Sequence, residues 1–285
     1  MSLPYTVLDV FTATPLDGNA LAVVHDADGL DDETMLRMAR ETRLSETTFV
    51  QPATAAGADY RNRIFTVAGE LPFAGHPSLG TAVAVARARG ERQVRYVQQT
   101  VPGQQPVDVE LTADGRSGSA SMLQEPPVFG PELDRAKAMA AAGLFPEDAH
   151  PDLPPQVVST GAPMVMAPVV DGGALARATP DPLALGALLE PHEAIVLYVA
   201  AIEPEQGRAR ARGLTPAVAG LEDPATGSAA GPLCAYVAQR TGVERLEIEQ
   251  GVEMKRPSYL RTAIEGDRVR VGGDVVVVVD GTLYL

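Results

Sequence analysis

A short segment occurs twice in this chain, once in each half. The first copy covers residues 70–77 and the second covers 222–229, at an offset of 152 (222 − 70), and Glu, Pro and Gly coincide in the two copies. A small, apolar run without proline follows each copy, at residues 81–86 and 233–238. Apolarity on all sides is typical of a fully buried helix. The duplication therefore predicts two halves of similar plan, each with a polar loop that leads into a buried helix.

The starts of these two predicted helices are suited to bind an anion. Pro77 fits a first helical turn, because its missing N–H would have no intrahelical partner there. Ser228 is a favourable N-cap residue. Gly75 and Gly227 allow backbone N–H groups to approach a ligand closely. Free N–H groups and the positive end of the helix dipole attract a carboxylate or a developing enolate. The alternative is that the duplicated segment serves packing alone.

Composition and charge exclude several classes of function. The chain has 285 residues, a length natural for two domains, and a net charge of −14 without a Lys/Arg cluster, which argues against nucleic acid and anionic membranes. A single cysteine, Cys234, excludes an internal disulfide framework, and its place in a buried helix predicts an unreactive thiol. No signal peptide or membrane-spanning run is visible, so a cytoplasmic protein is expected.

Neither a metal nor a nucleotide cofactor is supported by the sequence. The four histidines, at positions 25, 76, 150 and 192, have no ligand spacing, and no P-loop, dinucleotide-binding or zinc-protease motif occurs. We therefore expect no metal and no cofactor.

Short strands dominate the predicted secondary structure. In the last part of the chain, strands are expected at about 245–250, 258–264, 268–272, 274–279 and 282–285. The five valines at 275–279 favour a strand buried on both faces. A proline-containing stretch at 124–127 is the predicted linker, followed by a helix near 132–142.

Several motifs resemble those of the PhzF-like family, which is named for phenazine biosynthesis. They are Ala-Gly-His-Pro at 74–77, Asp-Pro-Ala-Thr-Gly-Ser at 223–228, Leu-Ser-Glu-Thr-Thr-Phe at 44–49, Gly-Asn at 18–19 and Gln-Gly at 250–251. The resemblance implies a diaminopimelate epimerase-type fold of class α+β. Such a fold has two pseudo-symmetric β-rich domains, each a curled sheet or barrel around a central helix, with the active site between them. We expect one domain at 1–125, to which a strand at about 276–285 returns, and the other at 126–275.

Glu46 is the predicted general base. It stands at the mouth of a predicted strand among Ser45, Thr47 and Thr48, none of which is a cation, and burial in a closing cleft would raise its pKa toward neutrality. A solvated glutamate at a strand start is the alternative, and the resemblance favours the catalytic role, since the family's catalytic glutamate lies in the matching segment.

The resemblance also implies the other site residues. The further catalytic groups are His76, Asp223 and Ser228, and the substrate-binding residues are Asn19, Gly75, Gly227 and Thr226. The helix dipole at His76 favours its neutral imidazole. Racemases of similar plan use two thiols, and the matching positions here hold Ala74 and Thr226, neither of which can act as a base. A single carboxylate that carries the proton is therefore the predicted mechanism.

The sequence thus predicts a cofactor-independent isomerase that moves a proton on a small, unsaturated, carboxylate-bearing substrate. The family resemblance further implies a homodimer. Two alternatives stay open, a racemase or epimerase of a small acid and a non-catalytic protein that binds a small anion.

Overall fold

The computed structural model describes residues 1–72 and 74–285, with Ala219 described by its backbone alone. Phe73, which belongs to the first copy of the duplicated segment, lies outside the described residues. The chain forms two compact units: unit 1 contains residues 1–123 and 272–285, and unit 2 contains residues 124–271.

The elements of unit 1 are strands with two helices among them. The strands are β1 (Ser2–Val10), β2 (Asn19–Val24), β3 (Glu46–Gln51), β4 (Tyr60–Phe65), β5 (Glu70–Leu71), β6 (Gln93–Thr100), β7 (Gly103–Leu111) and β8 (Ser117–Leu123). The helices are α1 (Asp32–Thr42) and α2 (Gly75–Arg89).

The elements of unit 2 follow a similar order. The strands are β9 (Val128–Glu132), β10 (Gln156–Ser159), β11 (Pro163–Val169), β12 (Leu197–Glu203), β13 (Arg208–Leu214), β14 (Glu222–Asp223), β15 (Arg245–Gln250) and β16 (Ser258–Glu265). The helices are α3 (Arg135–Ala141), α4 (Gly172–Arg177), α5 (Pro182–Leu189) and α6 (Gly227–Thr241). The last strand, β17 (Arg268–Tyr284), begins in unit 2 and continues into unit 1.

Within the described residues, eight strands of unit 1 pair into a closed barrel. The pairs run in the order β1–β2–β3–β4–β6–β7–β8–β17, and β17 closes the circle by pairing antiparallel with β1. A closed barrel has no edge strand with unpaired backbone groups. The predicted α+β fold with a barrel around a helix is confirmed here.

Helix α2 is the central element of unit 1. Its residues from Gly75 to Ala86 are buried, and the helix contacts the barrel strands. Most of these residues are small, so the surrounding strands can pack closely on every side. The helix ends at Gly90, which adopts φ 72°, and the Glu91 N–H donates to the Ala86 carbonyl at 2.9 Å. This is a Schellman-type end, for which glycine is the favoured residue.

Helix α6 has the same place in unit 2. By sheet pairing, β9, β10, β11, β12, β13, β15 and β16 follow one another, and α6 contacts β10, β11, β15 and β16 of this sheet. The helix is buried from Ala229 to Val237 and includes Pro232. The prediction of one buried helix in each half is confirmed.

Two predictions about the strands near the chain end are wrong, namely their division and the burial of the valines. The expected strands at 268–272, 274–279 and 282–285 are one continuous strand of 17 residues, β17. Burial on both faces also fails for the valines, because Val275 and Val276 are buried whereas Val279 is 45% exposed. Burial of both faces of β17 therefore ends partway along the strand, whereas its pairing with β1 continues to Tyr284.

Two elements of unit 2 differ from the sequence prediction. Strand β9 follows the expected linker directly, and the helix expected near 132–142 begins only at Arg135, where Asp134 caps it. Helix α4 was not predicted at all. Among the described residues, no helix has both the length and the apolarity needed to cross a bilayer.

Candidate active site

His76 and Glu46 meet in unit 1. His76 is the second residue of α2, and Glu46 is the first residue of β3. His76 Nε2 lies 3.3 Å from Glu46 Oε2, and the two side chains are only 6% and 14% exposed. The rest of β3 and the strands β4 and β5 separate these residues in the sequence, so the barrel, not local sequence, brings them together.

Asn19 holds the other side of the His76 ring. Asn19 is the first residue of β2 and is buried, and its Nδ2 lies 3.3 Å from His76 Nδ1. An amide nitrogen can only donate, so Nδ1 is the acceptor. A neutral imidazole then carries its single proton on Nε2, the nitrogen that faces Glu46.

Burial keeps His76 neutral. Loss of hydration lowers the pKa of His76 from 6.5 to about 3, because a charged imidazolium is disfavoured in the buried environment. The neutral form expected from the sequence is therefore the form that this environment favours, although burial rather than the helix dipole is the cause. His76 can thus donate a hydrogen bond to a carboxylate without carrying a charge of its own.

A hydroxyl pair fixes β3 against α2. Thr48 Oγ1 and Thr81 Oγ1 are 2.8 Å apart and both residues are buried, and Thr48 Oγ1 also donates to the Ala22 carbonyl. Glu46 stands two residues before Thr48 on the strand, and His76 stands five residues before Thr81 on the helix. This contact ties together the two elements that carry Glu46 and His76.

Asp223 and Thr226 meet in unit 2, in the loop that leads into α6. Thr226 Oγ1 donates to Asp223 Oδ2 at 2.7 Å. The backbone of Gly227, the next residue, is held through its carbonyl, which accepts a hydrogen bond from Gln124 Nε2 at 2.9 Å. Three of the predicted site residues of this half therefore lie in one ordered segment.

Gln250 organises that segment, and the sequence indicated it only as part of the family resemblance. It is fully buried at the end of β15. Its Oε1 accepts from Thr226 N at 3.0 Å and from Tyr198 Oη at 2.8 Å. Its Nε2 donates to the Asp223 carbonyl at 2.8 Å and to Thr226 Oγ1 at 3.0 Å. A signal was available: Gln98 stands 152 residues earlier (250 − 98), at the offset of the duplicated segment.

Ser228 is not the N-cap residue that the sequence predicts. Helix α6 begins at Gly227 and Thr226 is its N-cap, so Ser228 is the second helical residue, as His76 is in α2. The prediction failed because the helix begins before Ser228: the N–H groups of Ala229 and Ala230 donate to the Thr226 carbonyl. Ser228 is half-buried in a helix whose neighbouring residues are buried.

Neither central helix has a side-chain cap at its start. The N-cap residues are Ala74 in α2 and Thr226 in α6, and neither side chain accepts a hydrogen bond from the first turn. Backbone N–H groups that no side chain shields are the feature that makes a helix start attractive to an anion.

The glutamates of the duplicated segment form matched ion pairs. In unit 1, Arg63 Nε and Nη2 donate to Glu70 at 2.8 and 2.6 Å, and in unit 2, Arg212 Nε and Nη2 donate to Glu222 at 2.8 and 2.6 Å. We call these the arginine–glutamate pairs. Such bidentate pairs fix geometry as well as charge. The coinciding glutamates therefore anchor the duplicated segment to a neighbouring strand in each unit.

The described residues contain no group of three or more His, Cys, Asp and Glu side chains that could hold a metal ion. Cys234 is fully buried in α6, and burial raises the pKa of its thiol. The expectation of a buried thiol is confirmed, and its lack of reactivity stays a prediction.

A carboxylate beside a neutral imidazole, at the start of a helix inside a barrel, supplies the groups that an acid–base proton transfer needs. A fold of this kind also occurs in an epimerase. A hydroxyproline epimerase from Agrobacterium vitis aligns with a TM-score of 0.66 over 99% of this chain and 91% of its own, at 12% identity. At that identity the likeness concerns the fold alone.

The chain belongs to the PhzF family of phenazine biosynthesis-like proteins, whose sequence profile matches residues 8–281. A trans-2,3-dihydro-3-hydroxyanthranilate isomerase from Pseudomonas aeruginosa is 39% identical over 290 residues, 99% of each chain. A structure from the same organism, described as a predicted epimerase, is 34% identical with a TM-score of 0.86 over 99% of both chains. The family expected from the signature motifs is confirmed, and the chain is an isomerase.

Proposed function

We propose that this isomerase moves a proton on a small, unsaturated, carboxylate-bearing substrate without a cofactor, and that Glu46 is the general base. The observation that carries the proposal is the line Asn19–His76–Glu46. It places Oε2 of the largely buried Glu46 3.3 Å from Nε2 of a neutral imidazole. A neutral imidazole beside a carboxylate can position it without cancelling its charge, which supports the role of a general base.

In the proposed reaction Glu46 removes a proton from a carbon next to the unsaturated system. The C–H electron pair moves into that system, the double bond shifts, and Glu46 returns the proton to another carbon of the same molecule. His76 remains neutral and orients Glu46 through Nε2. Substrate and product have the same composition, so no further reactant is needed.

The remaining predicted site residues enter the proposal through the resemblance. Asp223 and Ser228 serve as further catalytic groups, and Asn19, Gly75, Gly227 and Thr226 serve as substrate-binding residues. The unshielded N–H groups at a helix start of this kind suit the substrate's carboxylate. Homodimer formation and a cytoplasmic location stay predictions from the sequence.

A second candidate is epimerisation of a small acid. The 34% identical structure described as a predicted epimerase favours it. The N-cap residues Ala74 and Thr226 argue against its two-thiol form, since neither carries a group that can accept the proton. Product constitution separates the two candidates, because an epimerase inverts one centre and leaves the double bonds in place.

The test uses trans-2,3-dihydro-3-hydroxyanthranilate, the compound in the name of the 39% identical relative, in deuterium oxide. Wild-type protein should shift the double bond and place deuterium on the carbon that receives the proton. Proton NMR measures both changes. Glu46→Gln keeps the shape of the side chain but removes the base. We expect turnover to fall at least ~10²-fold with little change in KM.

Glu41→Gln is the matched control, because Glu41 is an exposed glutamate on the preceding helix. It should retain wild-type turnover. Deuterium exchange at the wild-type rate in Glu46→Gln would show that Glu46 is not the base. Ligand-induced stabilisation without any exchange in the wild type would instead support a non-catalytic anion-binding protein.

A further inference from the structure

The side-chain amide of Gln250 uses its full hydrogen-bonding capacity, and its contacts allow only one orientation. Its Nε2 faces two acceptors, the Asp223 carbonyl and Thr226 Oγ1, at 2.8 and 3.0 Å. Its Oε1 faces the Thr226 N–H at 3.0 Å and the Tyr198 hydroxyl at 2.8 Å. A reversed amide would place its oxygen against the Asp223 carbonyl, so the orientation is fixed.

Tyr198 reinforces this direction. It is fully buried on β12, and burial raises the pKa of its phenol, so the hydroxyl keeps its proton. A protonated hydroxyl can donate to Gln250 Oε1. All four hydrogen-bonding positions of the Gln250 amide are thereby used inside unit 2.

The fixed orientation of the Gln250 amide also fixes the direction of the hydrogen bond between Thr226 and Asp223. Because Gln250 Nε2 donates to Thr226 Oγ1, the single hydroxyl proton is left to point at Asp223 Oδ2, 2.7 Å away. Hydrogen bonds to an ionised carboxylate are stronger than neutral ones. Thr226 is also buried, and its hydroxyl bonds these protein groups.

We call the hydrogen bonds from Gln250 through Thr226 to Asp223 the relay. The corresponding positions of unit 1 lack it. Gln98 corresponds to Gln250 at the offset of 152, and it is equally buried. Its Oε1 accepts from Asn62 Nδ2 at 3.0 Å. The positions that match Thr226 and Asp223 hold Ala74 and Leu71, which have neither hydroxyl nor carboxylate. A buried glutamine is therefore common to both units, whereas the relay to a carboxylate belongs to unit 2.

We propose that Gln250 and Thr226 are positioning residues that aim the Asp223 carboxylate for the proposed proton transfer. The inference rests on the proposed function, because it assigns these residues a role through a predicted catalytic group. It also changes the expected role of Thr226 from substrate contact to support of Asp223. Tyr198 belongs to the same chain of hydrogen bonds, because its hydroxyl donates to Gln250.

The decisive experiment is a double-mutant cycle between Thr226 and Asp223, with trans-2,3-dihydro-3-hydroxyanthranilate as substrate. Thr226→Val removes the hydroxyl and keeps the shape, and it should lower kcat about 10-fold or more with little change in KM. Thr226→Ser restores the hydroxyl and should recover most of that loss. Thr226→Val combined with Asp223→Asn should be no slower than Asp223→Asn alone. Additive losses would overturn the proposal.

A second measurement does not depend on turnover. Gln250→Met removes the acceptor of the Thr226 N–H, so amide hydrogen exchange of Thr226, followed by NMR, should accelerate about 10-fold or more. Gln98→Met is the matched control, since it removes an equally buried glutamine from the other unit, and it should leave Thr226 exchange unchanged. Unchanged exchange in Gln250→Met would overturn the proposal even if this substrate were not turned over.

Failure of the proposed function would look different. If Glu46→Gln were as active as wild type, the assigned base would be wrong, while the cycle between Thr226 and Asp223 could still show coupling. If Asp223→Asn kept wild-type turnover while Glu46→Gln lost it, the role of Gln250 and Thr226 would be wrong and the base would stand.

Discussion

His76 is buried in its neutral form, so acid should destabilise the protein through this residue. Its pKa is about 3 in the folded protein and 6.5 in the unfolded chain. Below pH 6.5 the unfolded chain therefore binds a proton that the folded protein does not. The contribution to stability is complete above pH 6.5 and is lost as the pH falls toward 3. At 1.36 kcal/mol per pH unit, the loss between pH 7 and pH 5 is up to about 2 kcal/mol.

His76→Gln removes this titration, and urea unfolding at pH 7 and pH 5 measures the effect. We expect the wild type to lose more stability than the variant over this interval. His25, whose pKa burial also lowers, is present in both proteins and cancels in the comparison. The carboxylate that faces His76 is Glu46, and a charge on it would offset part of the loss. Equal pH dependence in the two proteins would contradict the neutral, buried imidazole.

Local sequence singled out candidate site residues but not the residues that support them. Glu46 and His76 stand out because strand mouths and helix starts carry recognisable residue types. Gln250 and Arg212 do not, because their partners lie 24 and 10 residues away in the chain, at Thr226 and Glu222. Such contacts depend on how the sheet folds back on itself, and no local pattern records that.

At the scale of elements, the buried helices were the most predictable part. A small, apolar run between a polar loop and a terminal glycine describes α2 and α6 equally well. The last strand was not predictable in the same way. Gly272-Gly273 and Asp280-Gly281 indicate turns in a sequence, yet β17 continues through both.

Close packing explains the glycine inside β17. A Cβ at Gly272 would lie 2.6 Å from Ser121 Cβ and 2.7 Å from the Ala120 carbonyl oxygen. Glycine in a strand interior often marks a close approach of a neighbouring chain segment. This glycine is therefore a packing requirement of the barrel rather than the sign of a turn.

Gly231 of α6 should resist replacement by alanine, although alanine is the better helix former. A Cβ at Gly231 would lie 1.8 Å from Gln124 Oε1. Gln124 is buried and bonds both Thr160 Oγ1 and the Gly227 carbonyl, so moving its amide breaks two hydrogen bonds. We expect Gly231→Ala to destabilise the protein by roughly 1–3 kcal/mol in urea unfolding.

Gly186 of α5 is the matched control, because nothing lies within 4 Å of a Cβ placed there. Gly186→Ala should be neutral or stabilising by up to about 1 kcal/mol, the helix-propensity difference. The prediction about Gly231 fails if the two alanine variants change stability in the same direction. Loss of stability in Gly231→Ala would show that the loop before α6 is held by Gln124.

At the scale of the whole molecule, each unit repeats the same arginine–glutamate pair, and we expect that of unit 2 to be costly to break. Arg212 is buried and also donates to the carbonyls of Leu175 and Ala178. Arg212→Met leaves the Glu222 carboxylate buried without its partner, which costs roughly 3–5 kcal/mol. The exposed pair of Arg95 and Asp108 is the control, and Arg95→Gln should cost less than about 1 kcal/mol.

A second variant tests the cause of that loss. Arg212→Met combined with Glu222→Leu removes both charges, and apolar replacement of a whole buried pair is often neutral. The double variant should therefore regain most of the stability lost in Arg212→Met. If it is as unstable as the single variant, the hydrogen bonds of Arg212 to the two carbonyls matter more than the charge pair.

The last strand of the chain pairs with the first strand and so completes the barrel of unit 1. We expect this pairing to stabilise unit 1. Residues 281–284 of β17 pair with residues 2–5 of β1, and Leu283 packs against a cluster that includes Leu3, Val24 and Phe49. Deletion of residues 281–285 should therefore weaken unit 1, although unit 2 precedes this segment in the sequence. Hydrogen exchange measured by mass spectrometry should accelerate in residues 2–6 and stay unchanged in 245–250 of β15.

Leu283→Ala separates packing from strand pairing in this test. It removes the apolar contact but keeps the backbone hydrogen bonds, so exchange in residues 2–6 should accelerate less than in the deletion. Leu285, which is 52% exposed, provides the control, and Leu285→Ser should change little. Unchanged exchange in residues 2–6 after the deletion would contradict a closing role for the end of β17. Equal acceleration in 245–250 would show that the segment supports the whole chain and not unit 1, because only a general loss of stability would reach a strand outside the barrel.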